Sequence, residues 1–211
     1  MTFALFKDRQ DAGGQLVRLL QDFKGRDAVV LALPRGGVVV GAEIAKSLDL
    51  PLDIIVTRKI GSPGSAELAI GAIDVDGDSV WDGEAIKNIN KEWLGAENDK
   101  EKQEVKRRQN LYRANRGSLD LNGKIAIIVD DGIATGLTMK AAARYAKKLN
   151  PLKIIIASPL ATPEIVGELI KEADDVRIIN TSEFLWAIGQ FYENFPQVED
   201  EEVVKILKDN D

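Results

Sequence analysis

Four short runs constrain the fold most: AVVLAL at 28–33, LDIIVT at 52–57, KIAIIV at 124–129 and KIIIA at 153–157. They are almost continuously apolar and do not alternate, so the strands they form have no face to give to water. Each is separated from the next by helical sequence. Val38 to Leu48, Thr138 to Leu149, a helix opened by Thr162-Pro163-Glu164 and a terminal helix over 199–208 headed by acids follow in turn. Thr162 is a good cap and Pro163 suits a first turn. Before them, Leu16, Leu19, Leu20 and Phe23 fall at helical spacing and predict an amphipathic helix over 8–23, weakened by Gly13 and Gly14. With Val176 to Ile179 as a last strand, the pattern predicts one α/β domain over 1–211. Its core is a Rossmann-like central parallel sheet of about five strands flanked by helices.

Two stretches stand apart. Residues 59–67 (KIGSPGSAE) read as a mobile loop, after which Leu68 to Val75 and Ser79 to Trp81 flank DGD as a hairpin. Residues 82–118 are polar and charged, with a Glu104–Arg108 pair at helical spacing. They are expected to be a helical insertion on the surface, a solvated helix without chemistry.

Composition narrows the chemistry. The chain has no histidine and no cysteine. That removes Ser-His-Asp and Cys-His catalysis, disulfides and thiolates, and it restricts any metal to oxygen ligands such as those of magnesium. A net charge of −6 disfavours nucleic acid as a partner. No apolar run reaches the roughly 20 residues of a membrane span, and the N-terminus lacks a secretory pattern. The expectation is a cytoplasmic protein that handles small molecules.

In parallel sheets ligands bind beyond the carboxyl ends of the strands. Three such ends carry chemistry. In DDGIATGLT (130–138) two glycines and two threonines precede a helix whose N-terminal N–H groups favour a phosphate. Asp130 and Asp131 would repel that phosphate, yet would accept hydrogen bonds from a vicinal diol one sugar away. A tight Asp-Gly hairpin is the rival, but the residues beyond Gly132 continue as a helix. In PRGG (34–37) Gly36 and Gly37 permit close approach of backbone amides to an anion, and Arg35 adds a fork of donors. A dinucleotide turn fits less well, because Val38 stands where its second glycine belongs. Arg58 and Lys59 close the third strand end, as a solvated terminus or as partners of Arg35 on a shared anion.

VDDGIATGLT resembles the phosphoribosyl-pyrophosphate (PRPP) signature of type I phosphoribosyltransferases, with Asp130 and Asp131 as its acidic pair. The resemblance implies that fold over about residues 28–180, with a hood over 181–198. It makes Asp130 and Asp131 the catalytic acids on the ribose. It gives the 5′-phosphate to Ile133, Ala134, Thr135, Gly136, Leu137 and Thr138, although Ala134 stands where a hydroxyl residue is common. PRGG resembles the pyrophosphate loop, so Arg35, Gly36 and Gly37, with Arg58 and Lys59, are implied to hold pyrophosphate. Loop 60–67 resembles the loop that closes over the site. The hood of such enzymes stacks on a base, which makes Trp186, Phe191 and Tyr192 the aromatics to consider. The whole chain also looks like stand-alone bacterial and archaeal members carrying LPRGG and RKIG-PG-ELAIGA blocks.

The implied reaction moves a 5-phosphoribosyl group from PRPP, with Mg2+, to a nitrogen nucleophile such as a nucleobase, more like purine than pyrimidine salvage, in a homodimer. Two other classes stay open. One is a PRPP or nucleotide sensor of the same fold without catalysis. The other is a hydrolase using Asp130 as nucleophile, although Gly132 stands where a D-x-D motif needs its second acid.

Overall fold

The computed structural model describes residues 4–114, 116–185 and 187–210. In chain order the elements begin α1 (Arg9–Val17), β1 (Ala28–Ala32), α2 (Gly36–Leu48), β2 (Leu52–Ile54), β3 (Arg58–Ser62), β4 (Ser65–Ile73), β5 (Ser79–Trp81) and α3 (Lys91–Tyr112). They continue with β6 (Ile125–Val129), α4 (Leu137–Lys148), β7 (Lys153–Ala161), α5 (Pro163–Leu169), β8 (Asp175–Thr181) and α6 (Asp200–Asp209).

The unalternated strands form a parallel five-stranded sheet in the order β2-β1-β6-β7-β8. Val30 and Ala32 face a cluster that holds Leu16 of α1, Ile44 of α2 and Leu207 of α6. Val29 and Leu31 face the opposite cluster, with Met139 and Ala142 of α4 and Leu169 of α5. Both faces are covered, which is why these strands need no polar side.

From β1 the chain grows outward to β2, then returns to place β6 on the other side of β1. This reversal makes β1 and β6 the switch point, where sheets of this kind form a ligand-binding crevice outside the carboxyl ends of the strands. The register sets Ala32 opposite Val129, and the Leu33 N–H donates to the Val129 carbonyl at 2.9 Å. PRGG and the acid pair therefore leave the sheet side by side.

Three local expectations are revised. The first helix stops at Val17, and Gln21–Phe23 form a separate 3-10 turn. One apolar pattern served two elements, which also leaves Leu19 exposed at 39%. Residues 58–73, expected to begin with an irregular loop, are an antiparallel hairpin turned at Gly64 (φ 81°), and β5 extends it to a three-stranded sheet. The 82–118 stretch is more than a solvated helix: α3 buries Glu101, Val105 and Tyr112, and Asn90 caps it by accepting from Glu92 N and Trp93 N. The Glu104–Arg108 pair is present at 2.7 Å.

The 181–198 segment packs Phe191 and Tyr192, with Phe6, against Leu160 at the end of β7. Among the described residues no helix is long and apolar enough to cross a membrane.

Candidate active site

The switch point is assembled from two strand-to-helix turns. Along the first, Pro34 and Arg35 lead into α2, whose N-terminus carries no side-chain cap and no acid in its first turn. Along the second, Asp130 to Gly136 lead into α4, which likewise has neither a side-chain cap nor an acid in its first turn. The contrast with the other helices is informative. Side chains of Asp8, Asn90 and Thr162 cap α1, α3 and α5, and α6 begins with Asp200, Glu201 and Glu202. The two helices that open at the crevice are the ones whose N-terminal N–H groups and positive dipole ends are left for an external anion.

Glycine is required where the turns touch. A Cβ at Gly37 would stand 2.9 Å from the Val129 carbonyl oxygen and 3.0 Å from Asp130 Cα. A Cβ at Gly36 would overlap the Asp131 carboxylate. The Pro34–Arg35 peptide is cis. On the second turn, Ile133 bridges to Ala161 and its N–H donates to the Leu160 carbonyl at 2.8 Å. Ile133 and Leu137 are buried anchors, Ala134 and Thr135 are exposed, and Thr138 is partly exposed. Gly136 adopts φ 70°, a left-handed conformation that turns the chain into α4.

The two acids have different surroundings. Asp130 Oδ1 accepts the Asp131 N–H at 2.9 Å. Burial, and then the neighbouring Asp131 charge, push the Asp130 carboxyl well above the ordinary carboxylate range. Asp131 instead has a cation: Arg9 Nε donates to its Oδ2 at 2.7 Å. The repulsion between adjacent carboxylates is thus relieved within the protein, by an arginine that local sequence around the motif did not announce. Tyr192 Oη donates to the Asp131 backbone carbonyl at 2.7 Å.

The expected cations have separate partners. Arg35 lies 3.1 Å from Glu199 and 3.5 Å from Asp200 at the start of α6. Arg58 pairs with Glu101 of α3 at 2.8 Å, and Lys59 pairs with Glu67 across the β3–β4 hairpin at 2.7 Å. Gly36, Gly37, Asp130 and Asp131 are brought together; Arg35 is held by two acids, and Arg58 and Lys59 by one other acid each. Phe191 and Tyr192 are buried, and the Tyr192 ring is flanked by Phe6 at 5.2 Å and Phe195 at 4.8 Å, so both are packing residues here. Trp186 lies outside the described residues. Residues missed in the sequence include Arg9 and Ile188, the latter packing where a Cβ on Gly132 would be.

Among the described residues no three acids converge into a metal cage. A pair of carboxylates is still a fitting donor set for a magnesium ion whose other ligands are substrate oxygens and water.

A five-stranded parallel sheet with its crevice at the switch point defines a Rossmann-like α/β protein. Within that class the chain belongs to the phosphoribosyl transferase domain family, whose profile matches residues 9–195. It is 43% identical over 205 residues to a Mycobacterium tuberculosis protein provisionally named a phosphoribosyl transferase, a match covering 96% of this chain and 46% of that one. The chain thus spans about half the length of the curated relatives it matches. Among solved structures, TT1426 from Thermus thermophilus superposes with a TM-score of 0.80 at 35% identity, covering 97% of this chain and 98% of that chain. A purine phosphoribosyltransferase from Pyrococcus horikoshii shares the fold with a TM-score of 0.50 at 21% identity, over 94% of this chain and 99% of that one.

Proposed function

We propose that the protein transfers the 5-phosphoribosyl group of PRPP to a nitrogen nucleophile and releases pyrophosphate. The observation that carries this is the contact of Gly36 and Gly37 with Asp131 and Asp130 between two uncapped, acid-free helix N-termini. The N-terminus of α4, with Thr135 and Thr138, would take the 5′-phosphate. The acid pair would accept hydrogen bonds from the ribose hydroxyls. The PRGG turn at α2 would take pyrophosphate, and Arg35, Arg58 and Lys59 would join it by exchanging their present acids for the leaving group.

The C1′–O bond to pyrophosphate breaks with its electron pair leaving on oxygen, and the acceptor nitrogen supplies the pair for the new C1′–N bond. Positive charge grows on the sugar between these events, where the fixed carboxylates stabilise it. The acceptor's proton needs a destination. Ionised Asp130 suits that task in a chain without histidine, because burial and the Asp131 charge make it a stronger base than an ordinary carboxylate. Bound magnesium would neutralise pyrophosphate charge, with the acid pair as the protein's carboxylate donors. A nucleobase, purine before pyrimidine, is the acceptor proposed.

Pyrophosphate release from PRPP with Mg2+ and a panel of bases tests the proposal. Turnover on a base that disappears in Asp130→Asn/Asp131→Asn supports it, and unchanged turnover in that folded double variant overturns the assigned roles. Tight PRPP binding without turnover on any base would make the protein a sensor.

A further inference from the structure

The best-built feature of the crevice involves a residue outside both sequence motifs. Arg9 stands at the first position of α1 and is 8% exposed. Its Nε donates to Asp131 Oδ2 at 2.7 Å, and its Nη1 donates to the Pro196 carbonyl at 2.7 Å. Its guanidinium lies over the Phe195 ring, 3.7 Å from the centroid. Phe195 packs on Tyr192, which holds the Asp131 backbone carbonyl. Asp131 is therefore held at its side chain by the N-terminal helix and at its main chain by the 181–198 segment. Gly36 completes the contact, since a Cβ there would come within 2.9 Å of Arg9 Nε.

The Asp131 side chain is only 14% exposed and sits next to a second carboxylate, so leaving it without a cation would be costly. A guanidinium suits the position because two of its edges are used at once, one on the carboxylate and one on the Pro196 carbonyl, while its face stacks on an aromatic ring. A lysine has no such planar fork.

We infer that Arg9 is a positioning residue of the sugar site. It fixes the Asp131 carboxylate in one orientation, leaves its other oxygen for the ribose, and makes the order of that carboxylate depend on the docked 181–198 segment. The inference rests on the proposed ribose role of the acid pair. It adds that the ribose site is completed by the two terminal segments and not by the α/β core alone.

Calorimetric titration of ribose 5-phosphate and, separately, of pyrophosphate into wild type, Arg9→Gln and Arg9→Lys tests it, with thermal melts confirming that each variant is folded. The expected result is a loss of ribose 5-phosphate affinity of roughly tenfold to a hundredfold in Arg9→Gln, the range that one lost hydrogen bond to a charged group produces. Arg9→Lys is expected to fall between, and pyrophosphate affinity to change far less in both. Equal losses for the two ligands would reduce Arg9 to a structural brace, and wild-type affinity in a folded Arg9→Gln would remove the role altogether. If Arg9→Gln does not fold, Arg9→Lys decides on the same comparison. Wild-type protein that binds pyrophosphate but no sugar phosphate would overturn the proposed function itself, a different failure from a wild type that binds both and an Arg9 variant that does not care.

Discussion

Gly36 and Asp131 lie in direct contact, one on the turn after β1 and the other on the turn after β6, with no room between them for even a methyl group. The sheet register brings them there: Ala32 is paired with Val129, and each turn leaves from that point. The contact makes the two strand ends a single piece of structure, so that a change on one turn is felt by the carboxylate on the other.

Gly36→Ala is therefore expected to displace the Asp131 carboxylate, to weaken sugar-phosphate binding and to lower turnover by about a hundredfold, the loss that about 1 Å of misplacement can cause. The stability loss should be smaller, about 1–3 kcal/mol for an overpacked site. Gly14→Ala is the control. Gly14 is an exposed residue inside α1, and a Cβ there meets nothing within 4 Å. Alanine should raise stability there by about 0.5–1 kcal/mol through helix propensity. Melting curves of the two variants should move in opposite directions, and only Gly36→Ala should weaken ligand binding.

How much of this was legible in the sequence differs between the sheet and its surroundings. The core strands announced themselves because burial on both faces demands unbroken apolar runs, and the strand-end rule then picked out 34–37 and 130–138. The β3–β4 hairpin was hidden because its outer half is polar: of Arg58–Ser62 only Ile60 is buried, and Gly61, Ser62 and Gly64 look like punctuation. The buried side of α3 consists of Glu101, Val105 and Tyr112, too few and too polar to raise an apolar stripe. Arg9 is the extreme case. Its partner Asp131 lies 122 residues away, and no local periodicity reports such a pairing. The one available signal was chemical: two adjacent acids at a phosphate-binding turn require a counter-charge from somewhere.

Asp130→Asn should separate activity from stability. Burial, then the Asp131 charge, raise the Asp130 carboxyl well above its ordinary range. A folded-state pKa above the unfolded value of about 3.9 means that the favourable neutral form is fully present below that value and is lost as pH rises through the folded pKa. Asparagine keeps the oxygen that accepts the Asp131 N–H and cannot ionise. Urea unfolding between pH 4.5 and 8 should show the variant gaining on wild type as pH increases, while PRPP-dependent turnover is lost. A stability difference that stays constant across that range would contradict the buried-charge account.

Asp200 behaves with the opposite sign. Burial works against its charge, but the Tyr112 hydroxyl at 2.6 Å and Arg107 at 2.8 Å hold it down, to about 2. A depressed carboxylate contributes stability above its unfolded pKa and loses it as pH falls through the folded one, so here the loss runs from about 4 to about 2. Asp200→Asn should cost about 2 kcal/mol at pH 7, and that deficit should shrink on acidification through this window. Because Asp200 also neighbours Arg35, the substitution removes the charge of one of the two acids paired with that side chain. Chemical denaturation at pH 7 and at pH 3 measures the first effect, and pyrophosphate titration measures the second, with tighter binding expected.

Lys148 closes the turn of the β4–β5 hairpin onto α4. Its ammonium is within hydrogen-bonding distance of three carboxylates: Asp74 at 3.1 Å, Asp76 at 2.9 Å and Asp78 at 2.7 Å. Asp74 in turn is buried and accepts the backbone N–H groups of Asp76, Gly77 and Asp78 with its other oxygen. The lysine is exposed, which screens the interaction and places it well below a buried pair. Replacing it with methionine keeps the apolar stem but leaves three acids facing one another. The expected loss is at most about 1 kcal/mol at pH 7 and low salt. It should narrow at high ionic strength, as counter-ions take over the screening. A Lys148→Met variant whose deficit ignores salt would show that the stem packing, rather than the ammonium, holds the hairpin to the helix.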